Sequence, residues 1–288
     1  MFPELPGISS QIKSSEPHSV KLWEAMPGRH RGETVQVSPV QMSELKTAQN
    51  VIDLVKETLT GGTGNQKTDY ILTRGESYQR AVAARHVRDK DFQGDNQAIV
   101  KSALAALGGT CGEQSALAMA YLSMMDLKRP IYTYAAANHP DHQFNVIGDL
   151  REPRQAVIVD SWPVFARAHL ADNAQFQPDS QRILDVHMPS SVPKMAEEAF
   201  GEVVPLSNER ILHINQQHQT PAYNEVLESP ERIRLQGRMH AIRNLGVRYQ
   251  NRDNEAEILD NIVDRAFYER HALAMQQARP LFPDGEDH

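Results

Sequence analysis

Cysteine occurs once in 288 residues, at Cys111. A lone thiol forms no internal disulfide, so cross-linking plays no part in stability and the chain suits a reducing compartment. No apolar run approaches the roughly 20 residues that a membrane span needs. Positive charge is not in excess: the formal net charge is -7, which argues against binding nucleic acid through counterion release. The N-terminus lacks the basic-then-apolar pattern of a secretory signal, and Phe2 stands where myristoylation requires glycine. Residues 1–37, with their serines and prolines, are expected to form a flexible lead, which could carry an address for secretion without a cleaved signal.

What is present is an ordinary globular composition, 40% apolar and 23% charged. The length allows one main domain with appendages. Residues 38–200 are expected to be an α+β domain, and residues 201–288 a helical region packed on it. "SPVQMSELKTAQNVIDLVKETLTGG" offers Ser38 as N-cap, Pro39 in the first turn, apolar residues at helical spacing, and Gly61 and Gly62 as a stop. "SYQRAVAARHVRDK" predicts a second helix. "GDNQAIVKSALAALGG" predicts a third, with Asp95 or Asn96 as cap, Ile99, Val100, Leu104 and Leu107 as its buried stripe, and a glycine stop. Another should start at Cys111 and run to about Met125.

From there the period changes. Segments 130–137, 142–148 and 155–162 are short, β-branched or aromatic, and bounded by Pro, Gly, Asn and Asp, which predicts three strands in antiparallel order. Beyond Phe165 the chain reads as irregular. Two more helices are expected, one capped by Ser229 and one by Asn254. Helices, then strands, then helices make an α+β chain.

Cys111 follows Gly108-Gly109-Thr110 and opens a helix. A thiol attacks as thiolate, and at a typical pKa of about 8.5 most of it is protonated at neutral pH. A helix N-terminus and a nearby imidazole both favour the anion, and the imidazole needs an orienting acid or amide. His142 opens one predicted strand and Asp160 closes the next; antiparallel pairing makes them neighbours at one sheet edge. His139 and Asp149 are the weaker alternatives, both lying in turns. Cys111 could instead be inert packing, Trp162 a core anchor, and Asn145 a structural residue on the face opposite His142. "GGTGNQKT" (61–68) has Gln66 where a phosphate loop needs glycine, and reads as a plain loop. "HINQQH" and "NHPDH" lack a third converging ligand, so no metal site is expected.

"GTCGE" at a helix start, "DHQFNVIG" on a strand and "VIVDSWP" on the next resemble the papain-like and transglutaminase-like thiol fold. More narrowly, they resemble the Cys-His-Asp effectors and toxins of pathogenic bacteria, several of which deamidate host glutamines while others cleave peptides. The likeness covers about residues 95–165. It implies a papain-like core whose antiparallel sheet packs on helices, a nucleophile at Cys111, a base at His142, an orienting carboxylate at Asp160, and an acyl-enzyme formed from an amide.

No metal or organic cofactor is needed for that chemistry. The partners implied are a host protein substrate and a secretion chaperone, and the location is the cytoplasm of a host cell. Papain-like proteases carry an oxyanion-hole glutamine shortly before the cysteine. "SALAALGGT" has none, which leaves Gln114, Asn65 and Gln66 as candidate donors and leans the expectation toward a glutamine deamidase or transglutaminase-like enzyme. A papain-like endoprotease and a non-catalytic host-protein-binding module on the same scaffold remain the alternatives.

Overall fold

A computed structural model describes residues 34–139, 141–189, 193–237 and 247–260. Strand β1 (Thr34–Val37) leads into α1 (Pro39–Thr58), followed by α2 (Lys67–Leu72), α3 (Glu76–Lys90), α4 (Ala98–Ala106) and α5 (Cys111–Ser123). Then come β2 (Ile131–Ala136), β3 (Gln143–Ile147), β4 (Val157–Val159), β5 (His169–Leu170) and β6 (Pro178–His187). Short helices α6 (Ala196–Phe200), α7 (Asn208–Gln217) and α8 (Tyr223–Glu228) precede a hairpin of β7 (Arg248–Asn251) and β8 (Asn254–Asp260). The chain is α+β, and no described helix is long and apolar enough to cross a membrane.

The five-stranded sheet has the order β5-β4-β3-β2-β6, every neighbour antiparallel. Helices α1 and α5 cover one face. Leu45 and Ile52 of α1 and Leu117 and Leu122 of α5 meet Ile131, Ile147, Val157 and Val159 in the larger core. Helix α1 forms where its sequence says it should: Ser38 Oγ accepts from Gln41 N–H (3.2 Å), and Gln41 Oε1 accepts from Ser38 N–H (2.9 Å). The other face of the sheet carries Phe144, Val146 and Ile158, roofed by Trp162 and Phe176. Period-2 alternation along β3 thus serves two cores at once, with Asn145 buried on the α5 side, where its Nδ2 donates to Thr133 Oγ1 (2.8 Å).

Several expectations change. Gln97, not Asp95 or Asn96, caps α4, while Asp95 Oδ1 accepts from the Gln97 N–H (2.7 Å). Ile99 is 40% exposed rather than part of a buried stripe. The turn that ends α4 uses Leu107 at φ +53°, not glycine. A left-handed leucine costs on the order of 1–2 kcal/mol, and it is held there by Gly61 N–H, which donates to the Leu107 carbonyl (2.8 Å).

Strands β5 and β6 fall in the stretch expected to be irregular. β6 is almost wholly exposed, so no buried face imposes an alternation that could be read. Thr34–Val37, placed in the lead, pair parallel with β7.

The helix expected from Ser229 is only a 3-10 turn over Pro230–Arg232. Beyond it Gln236 bridges Gln66, its N–H donating to Asn65 O and its carbonyl accepting from Lys67 N–H, which withdraws those groups from helical bonding. The helix expected from Asn254 is strand β8 as far as Asp260. Arg252 and Asp253 form a tight turn back onto β7, with Asn251 Oδ1 accepting from Asp253 N–H (3.0 Å). The remainder of both predicted helices, and residues 1–33, lie outside the described residues.

Candidate active site

The loop before Cys111 is built by close approach. Glu113 Oε2 accepts from the Thr110 N–H (2.8 Å) and the Thr110 hydroxyl (2.9 Å), fixing the first turn of α5. A Cβ on Gly109 would stand 2.4 Å from Glu113 Cβ, so only glycine lets that turn close. Alongside, residues 61–66 run parallel to 107–110: Gly64 N–H donates to Gly109 O (2.8 Å), and Thr63 bridges Gly109. Cys111 thereby becomes the first residue of α5, where its N–H has no partner inside the helix.

The sheet brings up the other two residues. β3 and β4 pair antiparallel with Asn145 opposite Val159. The residue that precedes β3 and the one that follows β4 therefore come to the same edge. His142 Nε2 and Asp160 Oδ2 are 2.8 Å apart, each residue 1% exposed. A carboxylate only accepts, so Nε2 carries the proton of this bond. Asp160 Oδ1 accepts from Trp162 N–H (3.2 Å), which fixes the carboxylate. The rings of Trp162 and Phe176 enclose the imidazole at centroid distances of 4.6 and 4.4 Å.

With Nε2 engaged, Nδ1 is the nitrogen left for Cys111. Nδ1 is buried and makes no hydrogen bond among the described residues, and the Cys111 Sγ–H is turned to the Asp141 carbonyl (3.2 Å). Burial alone would lower the His142 pKa. The charge and hydrogen bond of Asp160, with the nearness of Cys111, outweigh it and carry the value from 6.5 up to about 9. The ring is accordingly cationic at neutral pH.

The three residues singled out in the sequence thus converge. Asp149 does not join them: it binds Arg151 Nε (2.7 Å) in the surface turn. His139 lies close by, its ring 6.1 Å from that of His142, but it faces Gln236 Oε1 at 3.4 Å and makes no bond to the acid. Trp162 is a core residue, 1% exposed.

Other groups here carry no local sequence signal. Phe176 arrives from the loop before β6. Arg234 reaches Asp141 (2.6 Å) from the segment after α8. Behind Asp160 lie Lys56, at the end of α1, and His169 of β5. Burial lowers both their pKa values, and the charge of Asp160 opposes it in each, alongside Asp69 at Lys56 and a hydrogen bond to the Arg167 carbonyl at His169. The Lys56 stem is partly exposed while its Nζ is sealed without a hydrogen bond. Only the tertiary fold could reveal these. Among the described residues, no group of three or more His, Cys, Asp or Glu side chains is arranged to hold a metal ion.

Comparison of the chain with family models, with curated proteins and with solved structures finds no match.

Proposed function

We propose that the chain is a thiol-dependent amide hydrolase or transferase with a papain-like core, acting on a side-chain carboxamide of a protein. The observation that carries this is the buried His142–Asp160 pair, 2.8 Å apart, whose ring presents its unpartnered Nδ1 beside the cysteine that opens α5. In this reading Nδ1 of the cationic ring already holds the Cys111 proton, and the thiolate sulfur attacks the carboxamide carbon. The resulting tetrahedral intermediate collapses as its nitrogen takes the proton from His142 and leaves as ammonia. Water or an amine then resolves the thioester, with His142 accepting the proton of the incoming nucleophile. Asp160 holds the ring and balances its charge through both steps.

A side-chain amide is favoured over a backbone peptide bond because the nucleophile is hard to reach. Cys111 is 8% exposed, and Asp141, whose carbonyl the thiol faces, is tied down by Arg234. A single extended side chain reaches so buried a sulfur more readily than a polypeptide running across it. On the family resemblance, we take the target to be a host protein met after secretion of this chain. Mass spectrometry of host lysate treated with the protein or with Cys111→Ala tests the reading. Conversion of glutamine amide to acid or to a substituted amide, dependent on Cys111, supports it; new chain termini would point to proteolysis, and no change to neither.

A further inference from the structure

We propose that the side-chain amide of Asn65 is the second oxyanion donor of this site, acting with the main-chain N–H of Cys111. The inference rests on the thiol-acyl reading above. When Sγ bonds to the carbonyl carbon, the π pair moves to oxygen, and that charge needs two preorganised donors until the pair returns and the leaving group departs. One is the N–H of Cys111, open at the first position of α5. The sequence offers three side-chain amides for the other.

Geometry separates them. Gln114 Nε2 is committed to Thr63 Oγ1 (2.7 Å) in the interior. Gln66 is 0% exposed, with both amide atoms sealed from solvent and without a hydrogen-bond partner among the described residues. Asn65 differs in each respect. It is half-buried, and its Oδ1 accepts from the indole N–H of Trp162 (2.8 Å). An indole nitrogen only donates, so the orientation of the Asn65 amide is determined: oxygen toward Trp162, NH2 away from it. That NH2 has no protein partner among the described residues and is not sealed.

Its backbone is equally fixed. Gln66 N–H donates to Thr63 O (3.1 Å), and Asn65 O accepts from Gln236 N–H (2.7 Å). The same loop is bonded to Gly109, two residues before the nucleophile, and Trp162 packs on His142. A free, oriented donor is therefore carried on the loop bonded to the cysteine turn and is oriented by the residue that covers the histidine.

The test compares two reactions of the full chain at its only thiol. Acylation by p-nitrophenyl acetate passes through an oxyanion; alkylation by iodoacetamide needs the thiolate but forms none. Asn65→Ala should slow acylation by about 10²–10³-fold and leave alkylation unchanged. Asn65→Asp keeps an acceptor for Trp162 while removing the NH2, and should lose at least as much acylation. Acylation unchanged in both variants, or acylation and alkylation falling together, overturns the proposal. If wild-type Cys111 alkylates no faster than a free thiol and without dependence on His142, the thiol-acyl reading fails and takes this assignment with it. Rapid, His142-dependent alkylation with acylation indifferent to Asn65 overturns the Asn65 assignment alone.

Discussion

His142 Nε2 and Asp160 Oδ2 lie 2.8 Å apart in a space that solvent does not reach, so each charge depends on the other for its counter-charge. Removing one partner of such a pair strands the other. Asp160→Ala should destabilise the fold by about 3–5 kcal/mol, read as a lowered urea midpoint at neutral pH. Asp160→Asn, which keeps an acceptor for Nε2, should lose less.

The same pair gives stability a pH dependence of definite sign. The folded His142 value, about 9, lies above the ordinary 6.5. The folded state binds the proton more tightly, so this contribution is fully present below about pH 6.5 and is lost as pH rises through 9. Urea denaturation repeated across that window should show stability falling with pH. In His142→Gln this component of the slope should disappear.

Reactivity should follow the same proton. A cationic ring beside the sulfur predicts that iodoacetamide alkylates Cys111 faster at neutral pH than it alkylates a free thiol, and that His142→Ala suppresses this. No labelling until the protein is denatured would instead identify Cys111 as structural, and would favour a binding module over an enzyme.

Gly109 has no room for a side chain, since a Cβ there would stand 2.4 Å from Glu113 Cβ. Gly109→Ala should cost about 1–3 kcal/mol by overpacking and should slow Cys111 alkylation, because the turn that seats the cysteine must open. Thermal melting and the alkylation rate measure the two effects.

Trp162→Phe keeps a ring against His142 but deletes the N–H that orients Asn65. The expected result is a stability loss of about 1 kcal/mol for the missing hydrogen bond. Alkylation of Cys111 should persist while acylation by p-nitrophenyl acetate falls. Stopped-flow release of nitrophenolate separates the two.

Local chemistry made much of this legible beforehand. Ser38 and Pro39 announce α1, Gly108 and Gly109 mark the break before α5, and the run Val157–Val159 ending in Asp160 marks a buried strand with an acid at its end. Elements went astray where local signals compete. Asn254–Asp260 carries both a helical spacing and an Asn-Arg-Asp-Asn turn, and the pairing of Tyr249 with Leu259 decides for the strand.

By itself, the order of residues determined the helix that begins at Cys111, the two strands that His142 precedes and Asp160 follows, and their antiparallel sense, because capping and alternation act over a few residues. It could not choose among Asn65, Gln66 and Gln114, or disclose Phe176, Lys56 and His169 around the pair. Those depend on which side chains the packing of distant segments seals, bonds or leaves free. That is settled by contacts between residues far apart in the chain, such as Asn65 with Trp162 and with Gln236, for which the chain carries no local mark.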